Sequence, residues 1–301
     1  MNYIQIIFSL FTSIIIISST ALNFLESRLP TIFSECIRYG KFAATTKSNM
    51  VIQVPKSWFK HFYVVAFFEQ TFIFGLVLMV YCWDMPVPSF LMYFLDTICG
   101  KDRITYIPKH KVFIALTLLT LQVYRRFYDT HKISVFGEKA KINLMHYLVG
   151  LVHYPGAILA IICEAPLFAD SYVKNEKLDL LSTSFSDKIA ILIFLWAWKH
   201  QYVCNKILAD LRKNKEGKVV NSEYKLPEGD WFEYLTAPHQ TAEIIMYGCL
   251  MWILWNNITW FFVFSWVVCN QVETILLSHW WYQKKFENFP KKRKALIPFL
   301  Y

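Results

Sequence analysis

Charge and glycine are both scarce in this sequence. Only 18% of its 301 residues are charged and nine are glycine, whereas a soluble domain carries about 25% charged residues. Low charge with 55% hydrophobic residues excludes a disordered chain, a fibrous repeat and a coiled coil, and argues against a soluble enzyme. The shortage of glycine leaves little material for a phosphate-cradling loop. There is no G-x-G-x-x-G, no Walker A sequence and no G-x-S-x-G, so Rossmann and serine-hydrolase readings have no local support. The seven cysteines are scattered, without a Cys-x-x-Cys pair, which argues against a disulfide framework and a zinc site. His200 and His239 stand too far apart in sequence to form a local metal pair, and no metal is expected. No internal repeat or low-complexity segment is present. The start, Met1-Asn2-Tyr3-Ile4-Gln5, lacks a basic n-region and no A-x-A site follows, so the first apolar run reads as a membrane span rather than a cleaved leader.

Long apolar runs fill the rest, with 26 Phe, 17 Tyr and 11 Trp. A bilayer core of about 30 Å takes about 20 apolar residues in a helix. Spans are expected at 3–25, 61–83 (containing Glu69), 107–127 (ending at Arg125-Arg126), 142–163 (bent at Pro155-Gly156) and 187–206. The block 244–272 between Glu243 and Glu273 is free of charge. At 1.5 Å per residue it is too long for one crossing and too short for two. It is therefore expected to break near Asn256-Asn257 into spans 236–255 and 257–279, which leaves both glutamates at membrane depth, where ionisable groups are costly. Segments on one side of these seven spans hold 23 Lys and Arg and those on the other hold seven. The expectation is an all-α polytopic membrane protein with a lumenal N-terminus and a cytosolic C-terminus. The net charge of +9 then belongs to cytosolic loops rather than to a nucleic-acid face. The one Asn-x-Thr sequence, Asn257-Ile258-Thr259, reads as a tight turn too close to the membrane for a glycan.

Polar residues concentrate in the C-terminal third. His200-Gln201-Tyr202 and Asn205 are followed by Leu211-Arg212-Lys213-Asn214, by Lys215 and Lys218, and by Tyr224-Lys225-Leu226-Pro227-Glu228-Gly229-Asp230-Trp231-Phe232-Glu233-Tyr234. Cations, aromatic surfaces and membrane-depth carboxylates together could hold a large anionic nucleotide. The same residues also suit an ordinary belt of snorkelling cations and interfacial aromatics. A membrane methyltransferase would bind a cationic cofactor without phosphate, which the basic cluster disfavours. A lipid-binding or transport protein would need no cofactor.

The stretches YKLPEGDWFEYLTAPHQTAE (224–243) and SHWWYQKKFENFPKKRKALIPFLY (278–301) resemble the steroid 5-alpha-reductase family. HQYVCNKILADLRKN (200–214), GDWFEY (229–234) and VPKSWFKHFY (54–63) are similar to its polyprenol/polyprenal reductase branch. The resemblance covers nearly the whole chain and is strongest after residue 190. It implies a seven-helix enzyme of the endoplasmic reticulum membrane, with residues 1–190 as the lipid-substrate half and 190–301 as the NADPH-binding part. By position, Asn205, Arg212, Tyr224, Lys225, Gly229, Tyr234, His239, Glu243 and Tyr282 fall where the family contacts NADPH. The chain departs from the steroid-reducing branch in three ways. His239 stands where Asn is usual. Lys225 replaces an Arg and loses its bidentate fork. The carboxylate and tyrosine that polarise the substrate carbonyl are replaced by Phe62 and Val123, with His61, Tyr63 and Tyr124 beside them.

These departures point away from a steroid. Hydride adds poorly to an isolated C=C, whereas a conjugated aldehyde moves the developing charge onto oxygen, where a hydrogen-bond donor can meet it in a dry site. The expected reaction is therefore reduction of polyprenal to dolichal, feeding dolichol synthesis for protein N-glycosylation, with a long-chain isoprenoid as substrate. The competing substrate is a steroid or another lipid enone. His61 and Tyr63 are the candidate donors at the carbonyl, and no obligate protein partner is evident.

Overall fold

The computed structural model describes residues 1–25, 28, 52–137, 140–171, 177–214 and 224–297. Lys215 and Lys218 of the basic cluster lie outside these. Each expected span corresponds to a helix: α1 Tyr3–Leu25, α2 Phe59–Cys82, α4 Lys109–Tyr128, α5 Leu144–Ile162, α6 Phe185–Asp210, α7 Pro238–Ile253 and α8 Ile258–Lys285. A short apolar helix, α3 Ser89–Cys99, lies between α2 and α4.

Side chains set several helix starts. Asn2 accepts the backbone N–H groups of Ile4 and Gln5 at 3.0 and 3.2 Å. Ser184 accepts that of Asp187 at 3.1 Å and donates back to the Asp187 carboxylate at 2.7 Å, so α6 opens on a reciprocal cap. The expected break in the last apolar block falls between Ile253 and Ile258. Asn257 caps α8 by accepting the Trp260 N–H at 2.7 Å, and its amide donates to the Ala160 carbonyl at 2.9 Å. Asn257 is fully buried, so packing by itself leaves a glycan no room at this turn.

Four of the helical segments (α1, Lys56–Cys82, α5 and α8) are long and apolar enough to cross a membrane among the described residues. The chain is thus a polytopic helical membrane protein. The other three fall short for physical reasons. Helix α4 carries lysines and arginines at its ends, α6 turns polar at Lys199-His200-Gln201, and α7 has only 16 residues, about 24 Å.

Helices α2, α4 and α5 pack together, α6 lies along α7, and α8 bridges α7 and α1. Glycine permits one close approach that matters for the site. A Cβ at Gly150 would come within 2.5 Å of the Phe62 ring, so Phe62 is seated in a notch of α5 and serves as packing. Two small sheets tie the ends. Strand β1 Gln53–Pro55 pairs antiparallel with β3 Lys141–Asn143, with Val54 opposite Ile142. Strand β2 Ile104–Thr105 pairs parallel with β4 Asp170–Ser171, with Ile104 opposite Asp170. The first sheet sits at the end of the bundle where α4, α6 and α8 finish, called the basic end below.

Candidate active site

Toward the basic end, five helices turn polar side chains into the shared interior. The 3.6-residue period of α4 brings Gln122, Arg125 and Arg126 inward, and the π turn Asp129–Ile133 that follows adds Asp129. Helix α2 contributes Tyr63, buried at 5% exposure. Arg126 donates to the Tyr63 hydroxyl from Nη2 at 2.8 Å and from Nε at 3.2 Å, while its guanidinium stands 4.9 Å from the Tyr63 ring centre. Tyr154 of α5 packs against Tyr63 with ring centres 5.4 Å apart.

A hydrogen-bonded chain links this group to α6 and α7. Arg125 donates to Gln122 Oε1 at 2.7 Å, to the Trp198 carbonyl at 2.6 Å, and to Gln201 Oε1. Gln122 also donates to Gln201 at 2.9 Å. Gln201 in turn donates to the His239 carbonyl at 2.9 Å and to Glu243 Oε2 at 3.1 Å. Glu243 interacts electrostatically with both Arg126 and Arg125. A carboxyl group, two arginines and a tyrosine hydroxyl thus share a largely apolar interior, where charge–dipole interactions are strong.

A second group lies nearer the basic end. Asn205 donates to Asp129 Oδ2 at 3.3 Å, and Arg126 and Arg125 approach the same carboxylate at 3.7 and 3.9 Å. Arg212 donates to the Val135 carbonyl at 2.6 Å and lies 5.7 Å from the Tyr224 ring centre. Tyr224 meets Trp281 at 5.0 Å, and the buried Tyr282 stacks on Phe286. Arg293 is 3% exposed, yet its Nε and Nη1 have no hydrogen-bond partner among the described residues. Burial holds this guanidinium's pKa below its ordinary value, with Glu233, Glu228 and Tyr282 opposing. A buried guanidinium with unpaired donors is costly unless it meets an anion. With Arg212 and the aromatic rings of Tyr224 and Trp281, it makes this end fit a phosphate-bearing nucleotide.

The structure therefore divides the residues expected from sequence. Arg212, Tyr224 and Tyr282 form one group. Glu243 joins Gln201 and the His239 backbone in another, and Asn205 stands between them. Gly229 takes φ +89° and opens the short helical turn Asp230–Glu233, where its N–H donates to Glu233 at 2.9 Å. Tyr234 is 45% exposed at the end of that turn, and Lys225 is exposed, so both lie at the rim. His61 and Tyr63 part company. His61 is exposed, bonded to Tyr147 at 2.9 Å and packed on Trp58, whereas Tyr63 faces the interior. Val123 is buried and Tyr124 points outward to bond Thr71 at 2.7 Å.

Sequence reasoning passed over Arg126, Arg125, Gln122, Asp129 and Tyr154. Arg125-Arg126 reads as a span end under the positive-inside rule. The available signal was their spacing with Gln122 and Asp129, three and four residues apart on one helical face. Arg293 sits in a run of four basic residues, which by itself reads as a solvated tail.

A polytopic helical membrane protein with a buried tyrosine–arginine–glutamate core and a phosphate-suited mouth suits a membrane-embedded enzyme with an anionic cofactor. Comparison with known proteins makes this specific. The family described as 3-oxo-5-alpha-steroid 4-dehydrogenase matches residues 156–301. Polyprenal reductase of Drosophila melanogaster is 36% identical over 99% of this chain and 93% of that protein. Polyprenal reductase of Homo sapiens is 32% identical over 90% of this chain and 86% of that protein. That of Xenopus laevis is 32% identical over 92% and 88% respectively. The chain belongs to the steroid 5-alpha-reductase family, in its polyprenal reductase branch.

Proposed function

We propose that the protein reduces the α,β double bond of polyprenal to give dolichal, with NADPH as reductant, in the endoplasmic reticulum membrane. In this reading the seven helices that match the expected spans cross the bilayer, the N-terminus is lumenal and the basic end faces the cytosol, where NADPH and the excess of Lys and Arg are found. The observation that carries it is the Tyr63 hydroxyl, buried and held by two Arg126 donors within reach of Glu243.

When bound, the nicotinamide supplies hydride to the β-carbon of the enal. Arg212 and Arg293 would hold its phosphates, Tyr224 and Trp281 would face the adenine, and Glu243, hydrogen-bonded by Gln201, would orient the nicotinamide end. Tyr63 donates a hydrogen bond to the aldehyde oxygen, and Arg126 stabilises the negative charge that builds there. Apolar side chains of α2, α4 and α5 keep water from the reacting carbons. Phe62 and Val123 leave no carboxylate or phenol at the positions used for a steroid ketone, so testosterone-like enones are expected to be poor substrates.

Purified protein incubated with NADPH and polyprenal tests this reading, with the lipid product identified by mass. Dolichal is the expected product. Recovery of unchanged polyprenal from a folded, NADPH-binding preparation would overturn it.

A further inference from the structure

Two polar side chains, the buried Tyr247 and the half-buried His153, have no part in the steps above. Tyr247 stands one turn beyond Glu243 on the same face of α7. Its ring stacks on Trp260 of α8, with centres 5.6 Å and planes 11° apart, so its orientation is fixed. Its hydroxyl is 2.9 Å from Nε2 of His153 on α5. It also lies within electrostatic reach of Glu243, Tyr63 and Arg126.

The imidazole tautomer follows from the surroundings. His153 Nδ1 is buried and has no hydrogen-bond partner among the described residues. A proton there would be an orphaned buried donor, which folded proteins avoid more strictly than an under-used acceptor. The proton therefore sits on Nε2 and is donated to the Tyr247 oxygen. Tyr247 keeps its own hydrogen for another acceptor, inside a site that excludes water.

Reduction of a conjugated enal adds a hydride at the β-carbon and a proton at the α-carbon. Tyr63 is committed to the oxygen, and protonation at carbon is slow without a positioned acid. Resting on the polyprenal reading, we propose that Tyr247, held by His153, is the acid that protonates the α-carbon. The Tyr247 O–H bond breaks and the α-carbon–H bond forms as the enolate's electron pair returns, which restores the C=O against Tyr63. The tyrosinate left behind accepts the His153 Nε2–H hydrogen bond and is reprotonated by water after the product leaves. One hydride from the reduced nicotinamide and one proton from Tyr247 complete the addition.

The test uses the full chain with NADPH and polyprenal in D2O, with the aldehyde trapped at once by borohydride. NMR then reads deuterium at the two diastereotopic α-positions. The wild-type protein is expected to label one position only. Tyr247→Phe keeps the ring stacked on Trp260, so NADPH affinity is expected to persist while turnover falls at least 50-fold and residual label spreads over both positions. His153→Gln, which retains a donor, is expected to keep single-position labelling. His153→Phe is expected to scramble it, and this variant decides the matter should Tyr247→Phe fail to fold. Wild-type turnover with single-position labelling in Tyr247→Phe, or in His153→Phe, would overturn the proposal. Failure of the wild-type protein to reduce polyprenal at all would instead overturn the underlying substrate reading.

Discussion

Two glutamates near opposite ends of the bundle show how the same side chain serves different ends. Glu164 follows α5 at the end opposite the basic one. It accepts the Ile258 N–H at 2.9 Å, the Thr259 N–H at 2.9 Å and the Thr259 hydroxyl at 2.5 Å. The Thr259 hydroxyl oxygen also accepts from the side-chain amides of Asn2 and Gln5. The carboxylate thus meets the first N–H groups of α8, where helix geometry leaves donors unpaired and the macrodipole favours an anion. Glu243, at the heart of the candidate active site, has one hydrogen-bond donor among the described residues, Gln201, and two arginines nearby. A carboxylate saturated by protein holds helices together. One with a single neutral donor and spare acceptor capacity is built to meet something else.

The largest effect expected from breaking this contrast is catalytic. Tyr63→Phe and Arg126→Ala should each lower turnover by about 100- to 1,000-fold, the usual cost of losing a donor to a developing oxyanion. Steady-state assays on both variants check it. A parallel His61→Ala measurement separates the two candidates drawn from sequence, with the large loss expected only at Tyr63.

Stability should respond at the other end. Glu164→Ala leaves two backbone donors and a hydroxyl without their acceptor, and is expected to cost about 2–4 kcal/mol. Its thermal midpoint should fall while the specific activity of the folded fraction is retained. Glu243→Gln should do the reverse, with activity down roughly tenfold or more and the midpoint little changed. A Glu243→Gln protein that unfolds yet keeps its specific activity would erase the distinction.

Smaller still is the expected effect on cofactor affinity. Arg212→Ala and Arg293→Ala should each raise the apparent NADPH constant about 10- to 100-fold, with less change in turnover, from a charge-assisted contact of about 1.5–3 kcal/mol. Lys225→Ala, at the exposed rim, should shift it less. Titration of NADPH against each variant measures the ranking, and unchanged constants in all three would reduce the basic mouth to a solvated face.

The smallest effect concerns Glu233. The Gly229 N–H, helped by Lys292 and Arg293, holds its carboxyl below the usual 4.5. A depressed folded-state pKa gives stability that is present above the unfolded value and is lost as pH falls through the folded one. The thermal midpoints of the wild-type protein and Glu233→Gln should differ slightly at pH 7 and converge as the pH drops below 4.5.

Much of the helical framework is legible in the sequence. The apolar blocks ended within a few residues of the helices, and the uncharged stretch between Glu243 and Glu273 was broken by its length alone, at Asn257. The candidate site was legible in part. Arg212, Tyr224, Glu243 and Tyr282 could be placed by resemblance. Arg126 could not, because a basic pair closing an apolar run looks the same whether it faces lipid headgroups or the protein interior. His61 and Tyr63, two residues apart, were equivalent in sequence, yet a helix turns about 200° between them. Only the packing of α2 against α4 and α5 decided which one points inward.

The sequence by itself determined the solvent of this protein and the rhythm of its helices, since hydrophobic length and charge placement act locally along the chain. It also carried the family, through motifs read in order. The tertiary structure alone decided which polar groups meet. Tyr63 is 63 residues from Arg126, and Tyr247 is 94 from His153. No local pattern encodes such pairs. They arise because several helices bury their apolar faces against one another, and the polar side chains left inside must find partners across the bundle.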